Sequence, residues 1–263
     1  MNTLDTSTYL DSVAAQTKIF ADWVHGKDPE TPVATTPDWN LGELVSHVGQ
    51  TQRMVATLVG KKLTDPSEAF ENLDNGPANP EKWRDWLTDT STGVAEAFGS
   101  VSDKTPVWDP TGEAKGVLFW SRRLFGEITV HRADAAVVLG NLYEVAPEHA
   151  AAAVDDWLET MTSERYEKSR PEFVDAIRET GRSLHFHSTD TNDGWLVFRT
   201  KNRIEMERTT VGTDTHAGAS GPAVDLMLAI TRRGPVDEAR NLTLHGDRAM
   251  LDNWIDHMDW VAD

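Results

Sequence analysis

The stretch Gly126-Glu127-Ile128-Thr129-Val130-His131-Arg132-Ala133-Asp134 lies inside a longer helical run, roughly Gly116 to Leu139. Glu127 and His131 are four residues apart, so on a helix their side chains share one face, a turn apart. A second stretch, Trp39-Asn40-Leu41-Gly42-Glu43-Leu44-Val45-Ser46-His47-Val48, sets His47 three residues after Leu44, on or beside the apolar stripe of its own helix. In a bundle, one helix can bring a ligand opposite such a pair on another. Two imidazoles and one carboxylate with a fourth position open make the donor set of a catalytic zinc ion. A closed structural site would need a fourth protein ligand, and the chain has no cysteine to supply it. The same residues also read more plainly. A Glu/His pair at this spacing commonly makes a hydrogen bond along a helix, and Arg123, four before Glu127, pairs with it as a helical salt bridge. A single His among apolar residues is often a satisfied core side chain.

Outward from these two segments the first part of the chain is helical. Tyr9, Leu10, Val13, Ile19, Phe20 and Trp23 mark a helix from about Thr6 to His25, stopped by Gly26, Asp28 and Pro29. A Pro-rich connector leads to Asp38, and Asn40 is the expected N-cap of a helix running to about Val59. Asn79-Pro80-Glu81 opens a third helix carrying Trp83, Trp86, Leu87, Val94 and Phe98, and a fifth follows Pro147 to Met161. After about residue 180 the period changes to alternation: Ser183 to His187, Trp195 to Phe198 and Ile204 to Thr210 read as strands. Ala223 to Thr231 reads as a helix, Asn241 to Leu244 as a short strand, and Gly246-Asp247 introduces a last helix through Trp254. The expected class is α+β: an antiparallel four-helix bundle over residues 1–165, then a small α+β domain over 166–263. No internal repeat or low-complexity tract interrupts it.

The 263 residues carry 43 Asp and Glu against 25 Lys and Arg, a formal charge of −18. Nucleic acid and anionic membrane need a basic field, so neither is an expected partner. An anionic substrate would need local arginines working against the global field. With no cysteine, disulfides, thiolate metal sites and a cysteine nucleophile are all excluded, and any thiol chemistry must use a thiol from outside. The first residues lack the basic start and apolar run of a secretory signal, and no apolar stretch approaches the ~18 residues of a spanning helix. The expectation is a cytoplasmic protein.

The two quoted helical segments resemble the metal-binding helices of the mycothiol-dependent maleylpyruvate isomerase family. Gly221-Pro222-Ala223-Val224-Asp225-Leu226-Met227-Leu228-Ala229-Ile230-Thr231-Arg232-Arg233 is similar to that family's second-domain helix, and Leu244-His245-Gly246-Asp247-Arg248 through Trp254 to its closing segment. The resemblance covers nearly the whole chain in order. It implies a DinB-like bundle with a C-terminal α+β domain, zinc (Zn2+) on His47, Glu127 and His131, and mycothiol, a low-molecular-weight thiol, as cofactor.

The reaction so implied is cis-trans isomerisation. A zinc-held thiolate adds to the double bond of an unsaturated dicarboxylate such as maleylpyruvate, the resulting single bond rotates, and the thiol leaves. The protein must hold carboxylates, for which an arginine fork is suited, and stabilise the developing enolate. The candidate arginines are Arg84, Arg122, Arg123, Arg232 and Arg233. Arg84, Arg232 and Arg233 are the ones expected to act on substrate, with Arg232 or Arg233 binding substrate or thiol at an interdomain cleft. Each also has a plainer reading, as a surface charge or a cation at a helix C-terminus. His185 and His187, alternating on one strand face, are two further metal ligands or else residues at a polar interface. His216 and His245 lie in a loop and before a turn. Asp134 is a partner for His131 or a surface acid beside Arg132. The same scaffold also suits S-transfer to an electrophilic small molecule, or ligand binding without catalysis. The intact His47/Glu127/His131 set disfavours the last.

Overall fold

A computed structural model of the chain describes residues 4–71, 73–110, 116–169, 171, 182–200, 203–210, 215–236 and 241–257. The chain divides into two compact units, Thr3–Tyr143 and Glu144 onward.

The first unit is the helical bundle. Its elements are α1 (Thr6–Val24), α2 (Leu41–Gly60), the short α3 (Ser67–Phe70), α4 (Trp83–Gly99) and α5 (Gly116–Leu139). Side chains fix the helix starts. Asp5 accepts from the Thr8 amide at α1, and Asn40 and Glu43 form a reciprocal capping box at α2. Asn79-Pro80-Glu81 opens a 3-10 turn, Pro80–Lys82, that leads into α4. Round the bundle, α1 packs on α5 and α4, and α2 packs on α4 and α5. α1 and α2, and likewise α4 and α5, therefore sit across the bundle from each other, which the long connectors before α2 and α5 permit. Phe20, Leu41, Leu44, Leu58, Leu87, Leu124, Phe125 and Ile128 form the core. α5 is buried nearly all round, Arg123, Thr129 and Arg132 included, so it is the bundle's central helix rather than an amphipathic face. Trp86 of α4 sits against Gly49 of α2: a Cβ there would lie 2.0 Å from the indole ring.

The second unit holds α6 (Pro147–Met161), α7 (Glu164–Ser169), α8 (Ala223–Ile230), α9 (Arg248–His257) and a five-stranded mixed sheet. The strands are β1 (Arg182–Ser188), β2 (Gly194–Arg199), β3 (Ile204–Thr209), β4 (Ala217–Gly221) and β5 (Thr243–Gly246), in the order β3-β2-β1-β4-β5. Only β1 and β4 run parallel. Leu184, Phe186, Trp195, Val197, Ala217 and Ala219 are fully buried, and α8 packs on β1, β4 and α6. Trp195 donates its indole N–H to Asp155 of α6 at 2.6 Å. The division between units falls before α6, at 143/144, whereas the boundary expected from the sequence lies at 165/166 and the change of period after about residue 180. Periodicity groups α6 with the helices before it; packing groups it with α8.

The α+β class and the bundle are as the sequence indicates. The sequence does not announce the short helices α3 and α7, nor the strand β4. Ala217-Gly218-Ala219-Ser220-Gly221 has little β propensity, yet it forms an inner strand because its neighbours leave no room for larger side chains. Among the described residues, no helix is long and apolar enough to cross a membrane.

Candidate metal centre

The connector before α2 is a folded platform. It doubles back on itself, with Val33 N–H donating to Trp39 O at 2.9 Å, Leu41 N–H to Thr31 O at 2.9 Å and Gly42 N–H to Pro29 O at 2.9 Å. This fixes Thr35 and Trp39 beside the first turns of α2, from which His47 projects. Glu127 and His131 project from consecutive turns of α5.

These three side chains meet. One ligand atom from each of His47, Glu127 and His131 lies within 4.8 Å of the others, and among the described residues no other such group of three exists. Glu127 Oε2 is 3.1 Å from His47 Nε2 and 3.2 Å from His131 Nε2. The other carboxylate oxygen, Oε1, accepts from the Arg123 guanidinium. The side chains are 22%, 14% and 9% exposed for His47, Glu127 and His131, so the group is shielded with a side left open.

Two further residues orient the group. His131 Nδ1 is 2.8 Å from Asp134 Oδ2, and Asp134 Oδ1 accepts from Thr35 Oγ1 at 2.5 Å. Asp134 is fully buried. The Trp39 indole packs against both imidazoles, with ring centroids 4.8 Å from His47 and 5.7 Å from His131.

The donor arithmetic is informative. A neutral imidazole has one N–H. If His131 gives it to Asp134 through Nδ1, its Nε2 turns a lone pair on Glu127 Oε2, 3.2 Å away. Two acceptors at that distance repel unless a positive charge lies with them. The donor set, two imidazole nitrogens and one carboxylate oxygen on two neighbouring helices, fits a zinc-class ion with a position to spare.

Residues 11–136 match the family domain described as the mycothiol maleylpyruvate isomerase N-terminal domain, and residues 148–253 match the corresponding C-terminal domain. The chain belongs to the mycothiol maleylpyruvate isomerase family. Two solved structures share the family fold. One is a crystal structure of a histidine-to-alanine mutant of the mycothiol-dependent maleylpyruvate isomerase: 15% identity, TM-score 0.55, covering 93% of this chain and 95% of that one. The other is a crystal structure of the mycothiol-dependent maleylpyruvate isomerase: 14% identity, TM-score 0.54, covering 87% and 91%. No protein of curated function matches the chain in sequence.

The remaining expected residues of this family member lie as follows. Arg84, on α4, pairs with Asp22 of α1 at 2.9 Å and is about half exposed. Arg232 and Arg233 close α8. Arg233 N–H donates to Leu228 O and Arg232 N–H to Ala229 O, the two bonds of a Schellman motif. The left-handed position of that motif, usually glycine, is Arg232, with φ 62°. Arg232 is exposed, whereas Arg233 is 6% exposed with its guanidinium donating to Thr231 O at 2.7 Å. Arg122 is half-buried and Arg123 is buried against Glu127. His216 Nδ1 accepts from the Ser183 amide at 3.3 Å. Thr35 and Trp39 had no assigned role in the sequence reading. Trp39 stands at the head of the quoted segment, but Thr35 lies 99 residues from Asp134, with no local signal.

Proposed function

We propose that this family member is a zinc-dependent, mycothiol-dependent cis-trans isomerase of an unsaturated dicarboxylate, of the maleylpyruvate type. The observation that carries the reading is the facing of His131 Nε2 and His47 Nε2 on one oxygen of Glu127. His47, Glu127 and His131 would hold the ion. When bound, it supplies a Lewis-acid position at which a thiol stays deprotonated near neutral pH.

The chain's own residues do the rest. Asp134, held by Thr35, fixes the His131 ring and its tautomer, leaving Nε2 as the donor atom. Arg123 takes Glu127 Oε1 and so leaves Oε2 for the site. Trp39 walls one side of both imidazoles and keeps water from that flank. In a chain of charge −18 the substrate carboxylates require arginine, and Arg84, Arg232 and Arg233 are the residues assigned to them. The strained backbone of Arg232 supports this assignment, since a glycine would close α8 at lower cost.

The test is metal analysis of the purified chain followed by maleylpyruvate turnover with and without mycothiol. Conversion that needs the thiol, and that disappears with the metal in His47→Ala, is the expected result. Metal-replete protein inert with mycothiol present overturns the isomerase reading. A thioether product that accumulates moves the protein to S-transfer. A metal-free protein under zinc-replete conditions removes the centre.

A further inference from the structure

Of the histidines in the second unit, three stand on one face of its sheet. His185 and His187 are alternate residues of β1, so both side chains stand on the face of the sheet opposite the apolar one. Across the sheet, His185 is paired with Gly218 of β4, and Gly218 with His245 of β5. His187 is paired with Gly194 of β2. Three imidazoles thus surround two positions that carry no side chain.

The vacancies are tight to the rings. A Cβ on Gly218 would lie 2.5 Å from His245 Cε1 and 2.8 Å from its Nε2. A Cβ on Gly194 would lie 3.0 Å from His185 Nε2. So the His245 ring leans over β4 toward β1, and the His185 ring leans toward Gly194 of β2, beside His187. The His185 and His187 rings are nearly parallel, 19° apart in tilt, with centroids separated by 5.9 Å.

Two ring nitrogens here have no hydrogen-bond partner, His185 Nε2 and His187 Nδ1, and both are shut off from bulk water. His185 as a residue is only 3% exposed. Burying an unpartnered polar nitrogen is unfavourable, and here two lie on neighbouring rings. An anion would require several converging N–H donors. Buried imidazole nitrogens without a partner suit instead a borderline divalent ion, for which nitrogen ligands at alternate positions of a strand and from another strand are a sound donor set.

We propose that His185, His187 and His245 form a second divalent-metal site, on the polar face of the sheet. It is an inducible site: the three rings must converge by side-chain rotation, because among the described residues only His47, Glu127 and His131 already hold their donor atoms within 4.8 Å. Bound there, zinc or a similar ion clasps the edge strand β5 to the inner strand β1 across β4.

The proposal shares no residue with the bundle centre, so the two fail separately. The full-length chain is stripped with a chelator and dialysed against Zn2+, and bound metal is counted per chain. Two ions are expected in the wild type, one in His187→Ala/His245→Ala, one in His47→Ala, and none in the combined variant. His187 and His245 are the less buried members, so their removal spares the packed position, and circular dichroism checks the fold. Zn2+ should also raise the thermal midpoint of His47→Ala but not of the combined variant. The proposal is overturned if His47→Ala binds no ion, or if the His187/His245 variant binds as many ions as the wild type; an ion kept in His47→Ala but lost in the combined variant supports it whatever becomes of the bundle centre.

Discussion

Asp134 Oδ2 and His131 Nδ1 stand 2.8 Å apart inside one turn of α5, and the carboxylate has no exposure to solvent. The pair decides which nitrogen of His131 faces Glu127. Asp134→Asn keeps the shape but offers a weaker and ambiguous partner. Metal affinity should fall about 10–100-fold, measured by competition with a chromophoric chelator. Thr35→Val, one bond further out, should cost less. Equal affinities across all three proteins would show that ring orientation is set elsewhere.

The approach of Trp86 to Gly49 predicts a contrast between two glycines. Gly49→Ala drives a methyl to within 2.0 Å of the indole, so α2 and α4 must separate; a loss of about 1–3 kcal/mol is expected in chemical denaturation. Gly93→Ala, within α4, meets nothing within 4 Å and should stabilise by about 0.5–1 kcal/mol through helix propensity. The opposite order of unfolding midpoints would contradict the packing described.

Arg232 occupies a left-handed position at the end of α8 where glycine is the relaxed residue. Arg232→Gly should leave the thermal midpoint unchanged or raise it. If the guanidinium serves a substrate carboxylate, KM for the dicarboxylate should rise while metal content stays constant. An unaltered KM would return the residue to a purely structural place.

His185 carries a pH consequence. Burial and the neighbouring His187 and His245 lower its pKa in the folded chain, so the unfolded chain takes up the proton first. The stability linked to this residue is complete above the ordinary imidazole value of about 6.5 and drains away as pH falls below it. With chelator present, urea midpoints should drop between pH 7.5 and 5.5. His185→Asn should flatten that slope, and an identical slope would assign the acid sensitivity to other groups.

Much of this architecture is visible in the chain itself, for identifiable reasons. α2 is announced by Asn40, by Glu43 three residues on, and by an apolar stripe from Leu41 to Leu58. The α5 pair is legible because four residues make one turn, whereas His47 stands 80 residues from Glu127 and joins the set through its place beside the apolar stripe of α2, with the family resemblance as added support. β4 is illegible because its small residues are selected by crowding: a Cβ at Gly218 would strike the His185 carbonyl oxygen at 2.0 Å. The ion pair of Arg84 with Asp22 crosses from α4 to α1, a relation no spacing rule expresses. The same holds for α6, whose helical period gives no sign that its partner, α8, lies some seventy residues downstream.

The division at 143/144 leaves Thr35, Trp39, His47, Arg123, Glu127, His131 and Asp134 all on its N-terminal side. Heredity can therefore treat the two halves differently. Substitutions that reshape the later half leave these seven side chains as they are, so the candidate centre and the later half are free to vary independently.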